Sequence, residues 1–383
     1  MTNHEFWIVA VPSTGTSGEL CDEFQLQIGP DSSNKLVDLV VPFRVPGFKI
    51  DSLDTLISQS ETLEKQDATC RNAVSKITEV LHAAFVDSTE SMEAYLTVQN
   101  KAPQEYVTSF EWNTGRFSPS RGITALAAGI TNETELLEND VRAKFSAYQQ
   151  ASKALQSIER KQSGNLSQKS LADIVQEEDV VQDSDYLTNV FLAVPKNLVN
   201  EFESSYETMT NLVVPRSAKV LAGDEEFVLY TVVVFKKTSE EFENKAREKH
   251  YIVRDFSFRS GMKEEEQRDL ENASVEEKRS WTSLVRYAAV AYSDAFQAWM
   301  HLKCLRVFVE SVLRYGLPPD FSAVLLMPRA KSASKLKNLL SKKYSYLAQT
   351  PTSKPQAKEL EEKLADVSLD EEYLPFVFYS VSF

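Results

Sequence analysis

Hydrophobic positions along this chain recur with two periods, and the changes between them outline its parts. Steps of three and four from Ile123 pick out Ala127, Ile130, Thr134, Leu137, Val141, Lys144, Tyr148, Ala151, Leu155 and Ile158. Only Thr134 and Lys144 interrupt that apolar seam, so the spacing predicts one helix from Pro119 to about Gln162. Ser118 is placed to cap it, Pro119 suits its first position and Gly164 its end. A second seam runs through Trp281, Leu284, Ala288, Ala291, Ala295, Ala298, Leu302, Leu305, Val309 and Val312. It predicts a helix from about Glu264 to Tyr315, open to interruption only at Asn272-Ala273-Ser274. At about 1.5 Å per residue the two helices reach roughly 65 and 75 Å. A third, starting near Asp51, carries Leu53, Leu56, Leu63, Cys70, Val74, Ile77 and Leu81 in register. Helices this long favour an antiparallel rod, with a large helical bundle as the plainer alternative.

Between residues 186 and 258 the period shortens. "YLTNVFLAVP" reads as a strand, "KNLVNEFESSYETM" as a helix, and "AKVLA" with "EEFVLYTVVVF" as a hairpin-like pair. "SEEFENKAREK" then reads as a helix and "YIVRDFSF" as a strand. The C-terminal part repeats the theme. "AVLLMPRAKSASKLKNLL" resembles "VFLAVPKNLVNEF", and "DEEYLPFVFYSVSF" resembles "DEEFVLYTVVVF". "FWIVAVP" near the start is a third strand ending in proline, which stops a strand without blocking a following helix. Strands at 5–12, 321–328 and 376–383 are each too few to fold alone. The expected fold is therefore α+β and multi-domain: two α/β lobes joined by a neck of long antiparallel helices. One lobe is inserted between the helices and the other is assembled from both chain ends. The expected parts are 1–118, 119–166, 167–258, 259–315 and 316–383.

The joint at the end of the second long helix is unusually sharp: "VESVLRYGLPPDFSAVLLMP" passes from helix to strand within a few residues. Gly316 suits the left-handed position after a helix, with Leu317 free to fold back onto Val312. Arg314 complements the negative helix end and lies four residues after Glu310. Pro318 and Pro319 prevent continuation. Arg314, Gly316, Pro318 and Pro319 are thus the candidate joint between rod and terminal lobe.

Charge narrows the function. The chain has 383 residues, 42% of them hydrophobic, and a formal net charge of −14. Phosphate surfaces select lysine and arginine, so broad nucleic-acid or anionic-membrane binding is not expected. Three widely spaced cysteines, Cys21, Cys70 and Cys304, suit a reducing compartment better than a disulfide framework. No apolar run approaches the roughly 18 residues of a membrane span, and "MTNHEFWIVAVP" lacks the basic start of a signal peptide. No phosphate loop, dinucleotide fingerprint, zinc-protease motif or CxxC pair occurs. "STGTSG" (13–18) reads as a loop, since no Lys-Ser/Thr or helix is expected close behind it. His4, His82, His250 and His301 share no metal-ligand spacing, and Cys304 has no paired histidine. No cofactor and no catalytic activity are expected.

Cations concentrate in the inserted lobe: Lys236, Lys237, Arg247, Lys249 and Arg254. They form either a solvated face or the contact for an acidic helical partner. "KEEEQRDLENASVEEKR" (263–279) is a solvated surface or a docking strip for a basic helix. "LEEKLADVSLDEE" (360–372) is acidic.

The strings "FWIVAVP", "PGFKIDSLDTLI", "SYETMTNLVVP", "AREKHYIVRDF", "LRVFVESVLRYGLPP" and "PFVFY" together resemble the C subunit of the V-type proton ATPase (V-ATPase), in order from Phe6 to Phe383. The middle of the second long helix and residues 348–372 match least. The resemblance implies a head lobe, a helical neck and a foot lobe made from both termini. It implies a non-catalytic stator component, cytoplasmic and peripheral on the cytosolic face of acidic-organelle or plasma membranes. The implied partners are a heterodimer of the E and G subunits at the head, and a second such stalk with the cytosolic domain of the a subunit at the foot. Reversible assembly of the enzyme is implied too, and actin as a further partner of some members. A rod-shaped cytoskeletal or tethering adaptor is the competing class.

Overall fold

The computed structural model describes residues 5–13, 17–32, 35–50, 52–86, 91–182, 184–329, 331–348 and 374–383. The acidic run 360–372 and His4 lie outside them. The strands are β1 (Glu5–Pro12), β2 (Val37–Pro42), β3 (Leu187–Pro195), β4 (Lys219–Gly223), β5 (Phe227–Phe235), β6 (Ile252–Arg254), β7 (Phe321–Pro328) and β8 (Val377–Ser382). The helices are α1 (Ser17–Ile28), α2 (Leu53–Ala84), α3 (Pro103–Thr108), α4 (Ile123–Ser163), α5 (Val199–Ser205), α6 (Ser239–Glu248), α7 (Met262–Tyr315) and α8 (Ala333–Lys343). The fold is α+β. The chain divides into two compact units: Met1–Lys144 with Leu284–Phe383, and Phe145–Ser283.

The first unit holds a four-stranded antiparallel sheet in the order β2-β7-β1-β8, so strands from both chain ends share one sheet. Helices α1 and α8 cover one face. Leu20, Cys21, Phe24 and Ile28 meet Leu336 and Leu340 over Trp7, Val9, Val324 and Leu326. Two of these elements escape the sequence reading. β2 is a strand within "LVDLVVP", and α1 begins at Ser17, inside the "STGTSG" stretch behind which no helix is expected.

The rest of the first unit is built mainly on α2, α4 and α7. On α2, capped by Ser52 accepting the Thr55 amide, the expected Leu56, Leu63, Cys70, Val74, Ile77 and Leu81 are all buried. Helix α4 starts at Ile123, four residues later than Pro119, because the Arg121 amide turns back to the Ser118 carbonyl before the helix begins. From Ala295 to Val312 nearly every residue of α7 is buried, polar ones included. A helix buried all round must find partners for its polar side chains within the protein. Helix α7 is also unbroken through Asn272-Ala273-Ser274, 54 residues in all, since those residues weaken helix propensity without forbidding it.

The second unit holds its own antiparallel sheet, in the order β4-β5-β3-β6. Val190, Leu192, Val194, Tyr230, Val232 and Val234 pack on Phe202, Tyr206, Phe242 and Ala246 of the covering helices. On the opposite face Leu166, Leu171 and Val175 meet Phe191 and Leu229.

Both sheets follow one plan. Each consists of two β-α-β halves: β1-α1-β2 and β7-α8-β8 in the first unit, β3-α5-β4 and β5-α6-β6 in the second. This is the split β-α-β, ferredoxin-like arrangement. The likeness of β5 to β8 seen in the sequence is not an equivalence, because β5 is central and β8 is an edge strand. The likeness of β3 to β7 pairs two central strands and fits the internal symmetry of the plan.

Candidate functional site

At its C-terminus α7 is stitched to the sheet by two consecutive side chains. Arg314 Nε donates to Glu310 Oε1 at 2.7 Å, and its Nη1 donates to the carbonyls of Leu374 (2.7 Å) and Phe376 (3.3 Å). The Tyr315 hydroxyl donates to the Ala10 carbonyl at 2.7 Å and accepts the Val377 amide at 3.1 Å. Burial pushes the Tyr315 pKa up, which keeps the donating proton in place. Glu310 also accepts from Ser60 Oγ at 3.3 Å, which brings in α2.

Gly316 then takes φ +89°, and its amide donates to the Val312 carbonyl at 2.9 Å. This is the single-bond form of the left-handed helix cap. It explains why Leu317 is exposed rather than folded back onto Val312: that contact accompanies the two-bond cap, which is not formed here. Pro318, after a cis peptide bond, and Pro319 are both exposed. Arg314 thus holds the end of α7 and Gly316 turns the chain out of it, while the prolines lead on to β7.

Two polar clusters of α7 are invisible as sequence motifs. Asp67 of α2 accepts from Trp299 Nε1 at 2.9 Å, Lys303 Nζ at 2.8 Å and Arg306 Nη1 at 2.7 Å. Lys303 lies over the Trp299 ring and Arg306 over the Tyr379 ring of β8, at 5.6 and 4.4 Å from the centroids. Burial lowers the Lys303 pKa, against the pull of Asp67. The available signal is Asp67 itself, an acid on the apolar seam between Leu63 and Cys70.

His301 sits in the second cluster, among the rings of Phe110, Trp112 and Phe117. The Asn113 amide donates to His301 Nε2 at 3.0 Å, so Nε2 carries a lone pair and Nδ1–H donates to the Gln297 carbonyl at 2.6 Å. Burial holds its pKa down at about 4. Nearby, Arg116 pairs with Glu133 of α4 and Asp294 of α7. Cys304 is fully buried and burial pushes its thiol pKa up, which suits packing. Among the described residues no group of three or more His, Cys, Asp or Glu is placed to share a metal ion.

The five cations singled out in the second unit do not form one patch. Lys236 and Lys237 are exposed and follow Phe235, at the end of the sheet where Phe235 faces Leu187. Lys249 precedes Ile252, which faces Ala193 near the opposite end. Lys249 donates to Ser205 Oγ at 3.0 Å, and Arg247 pairs with Glu243 on its own helix. Arg254 is half-buried and donates to the carbonyls of Leu166 (2.7 Å) and Lys169 (2.6 Å), so its guanidinium is committed inside the unit.

The family profile of the V-ATPase C subunit matches residues 6–377. The chain is 41% identical over 350 residues to the C subunit of the V-type proton ATPase of Saccharomyces cerevisiae, covering 90% of this chain and 88% of that one. It is 33% identical to form 1 of the C subunit of Xenopus laevis and 34% identical to form 1 of Rattus norvegicus, each match covering 98% of this chain and 97% of the relative. The chain belongs to the V-ATPase C subunit family. Membership makes it an accessory component of a proton-transporting ATPase. No helix among the described residues is long and apolar enough to cross a membrane. The matched span takes in the whole sheet of the second unit, the helical part of the first unit, and strands β1, β2 and β7 from Phe6 onward, and it ends at Val377, the first residue of β8.

Proposed function

We propose that the chain is a non-catalytic stator component of the V-type proton ATPase. It bridges the peripheral stalks of the ATP-hydrolysing sector to the a subunit of the membrane sector. In this reading Phe145–Ser283 contains the head, which binds one heterodimer of the E and G subunits. The unit built from both chain ends contains the foot, which binds a second stalk and the cytosolic domain of the a subunit.

The observation that carries the reading is the organisation of the chain. Two units have separate hydrophobic cores, and both segments linking them, within α4 and α7, are continuous helix. Rotation of a central shaft loads the static parts of the enzyme, and helix transmits such load better than a flexible linker. The joint supports the same reading, since Arg314 and Tyr315 tie the end of α7 to β1 and to the lead-in of β8 instead of leaving a hinge. A stator that must also release needs modest, polar contacts, because these separate more readily than large apolar ones. Exposed Lys236 and Lys237 are candidates for such a contact in the head.

The test is affinity purification of the tagged full chain from its own cells in mild detergent. The E, G and a subunits should be recovered with it. Recovery of actin or other cytoskeletal proteins without any other part of the ATPase would overturn the stator reading in favour of a tethering adaptor.

A further inference from the structure

A groove in the second unit has a lining that none of the functions above uses. It lies along the last turns of α4 and has a volume of about 500 Å³, within the range of small-molecule sites. Its walls are Lys153, Gln156, Ser157, Arg160, Lys161 and Gln168. Every one of these side chains can donate a hydrogen bond, three are cations, and none is a carboxylate or an apolar group. In a chain of net charge −14 that concentration is unusual.

Helix spacing produces it. Ser157, Arg160 and Lys161 follow Lys153 at intervals of four, seven and eight residues, so all four share one side of α4. The facing wall is fixed by the backbone. The Gly164 amide donates to the Arg160 carbonyl at 3.0 Å, Ser170 to the Lys161 carbonyl at 2.5 Å, and Gln168 to Asn165 at 2.8 Å. A side chain at 164 would place its Cβ 2.7 Å from the Arg160 carbonyl oxygen, so only glycine lets the loop close this tightly.

The cations are also uncommitted. Elsewhere in the unit Lys219, Lys245, Arg247 and Lys263 each pair with a carboxylate. Among the described residues Lys153, Arg160 and Lys161 have no such partner.

We propose that this groove binds a small, multiply phosphorylated anion. Phosphate oxygens match a wall in which every side chain can donate and none carries negative charge, and Arg160 can grip two of them at once. The lining has no aromatic or aliphatic residue on which a nucleoside base could stack, so the recognised part is the phosphate cluster.

Calorimetry on the full chain tests this, with inositol hexakisphosphate as the probe. Binding should weaken as salt rises. The variant Lys153→Gln, Arg160→Gln, Lys161→Gln should bind roughly tenfold or more weakly, because three charge-assisted bonds are lost. A control, Lys236→Gln, Lys237→Gln, Lys331→Gln, removes as many exposed cations elsewhere and should leave affinity nearly unchanged. Gln168→Glu changes one exposed side chain, has little cost in folding, and should weaken binding by putting a carboxylate in the groove. ATP should bind no better than inorganic tripolyphosphate. Vesicles carrying a phosphatidylinositol bisphosphate distinguish the source of the ligand. Groove-dependent binding to vesicles assigns a lipid headgroup, and groove-dependent binding to free phosphates alone assigns a soluble one. No measurable binding by the wild-type chain, an equal loss in the control variant, or equally tight binding of polyglutamate would overturn the proposal.

Discussion

The Tyr315 hydroxyl, at the last residue of α7, donates to the Ala10 carbonyl of β1 at 2.7 Å, across 305 positions of sequence. The same oxygen accepts the Val377 amide, so one side chain binds the helix end to two adjacent strands, β1 and β8, at a directly opposed pair of residues. Tyr315→Phe keeps the ring and leaves both backbone groups unpartnered. We predict a loss of about 1–2 kcal/mol of stability, the usual cost of half-buried groups left unsatisfied. Denaturant unfolding followed by circular dichroism measures it, and an unchanged midpoint would contradict the role given to the hydroxyl.

Gly316→Ala tests the cap separately. Nothing lies within 4 Å of the added Cβ, so only the backbone at φ +89° resists it. The expected cost is about 1 kcal/mol. Gly316→Asn should cost less, because asparagine enters the left-handed region more readily. Equal melting temperatures for wild type and the alanine variant would argue against a left-handed cap.

Asp67 is bonded to both Lys303 and Arg306. Asp67→Asn should destabilise by about 3–5 kcal/mol, the cost of leaving buried charge unpaired. Lys303→Met should be milder, since it removes a buried cation and leaves Asp67 paired with Arg306 at 2.7 Å. The order of the two midpoints in urea decides the matter. If Lys303→Met proves the more damaging, the network does not rest on Asp67.

His301 makes stability depend on pH. Its folded pKa of about 4 lies below the ordinary value of 6.5, so between these values the unfolded chain binds more protons. The contribution is complete above pH 6.5 and is lost progressively as pH falls through that window to about 4. The full loss is about 3 kcal/mol. The structural cause is direct: a proton on Nε2 would face the Asn113 amide proton. His301→Gln should flatten this part of the profile relative to wild type, as read by unfolding at each pH. Parallel profiles would contradict the assignment.

Much of this architecture is legible in the chain because long-period patterns survive tertiary packing. The apolar seams of α2, α4 and α7, and the alternation of β3, β4 and β5, need no partner to be read. Gly316 and Arg314 are legible because helix ends obey local rules. What escapes depends on contacts far apart in sequence. β2 is six residues long and is defined by its pairing with β7. Asp67 reads as a break in an apolar seam until Lys303 and Arg306 arrive from 236 and 239 residues away. Arg254 reads as a surface cation until the Leu166 and Lys169 carbonyls close on it. The likeness of β5 to β8 misleads because β-rich strings resemble one another whatever their place in a sheet.

The central claim is that two separately cored units of one chain hold different partners. Crosslinking mass spectrometry on the assembled ATPase tests it most directly. Residues 167–258 should crosslink to the E and G subunits. The unit formed by both chain ends should crosslink to the cytosolic domain of the a subunit. Crosslinks from only one unit, or from neither, would contradict the bridging account.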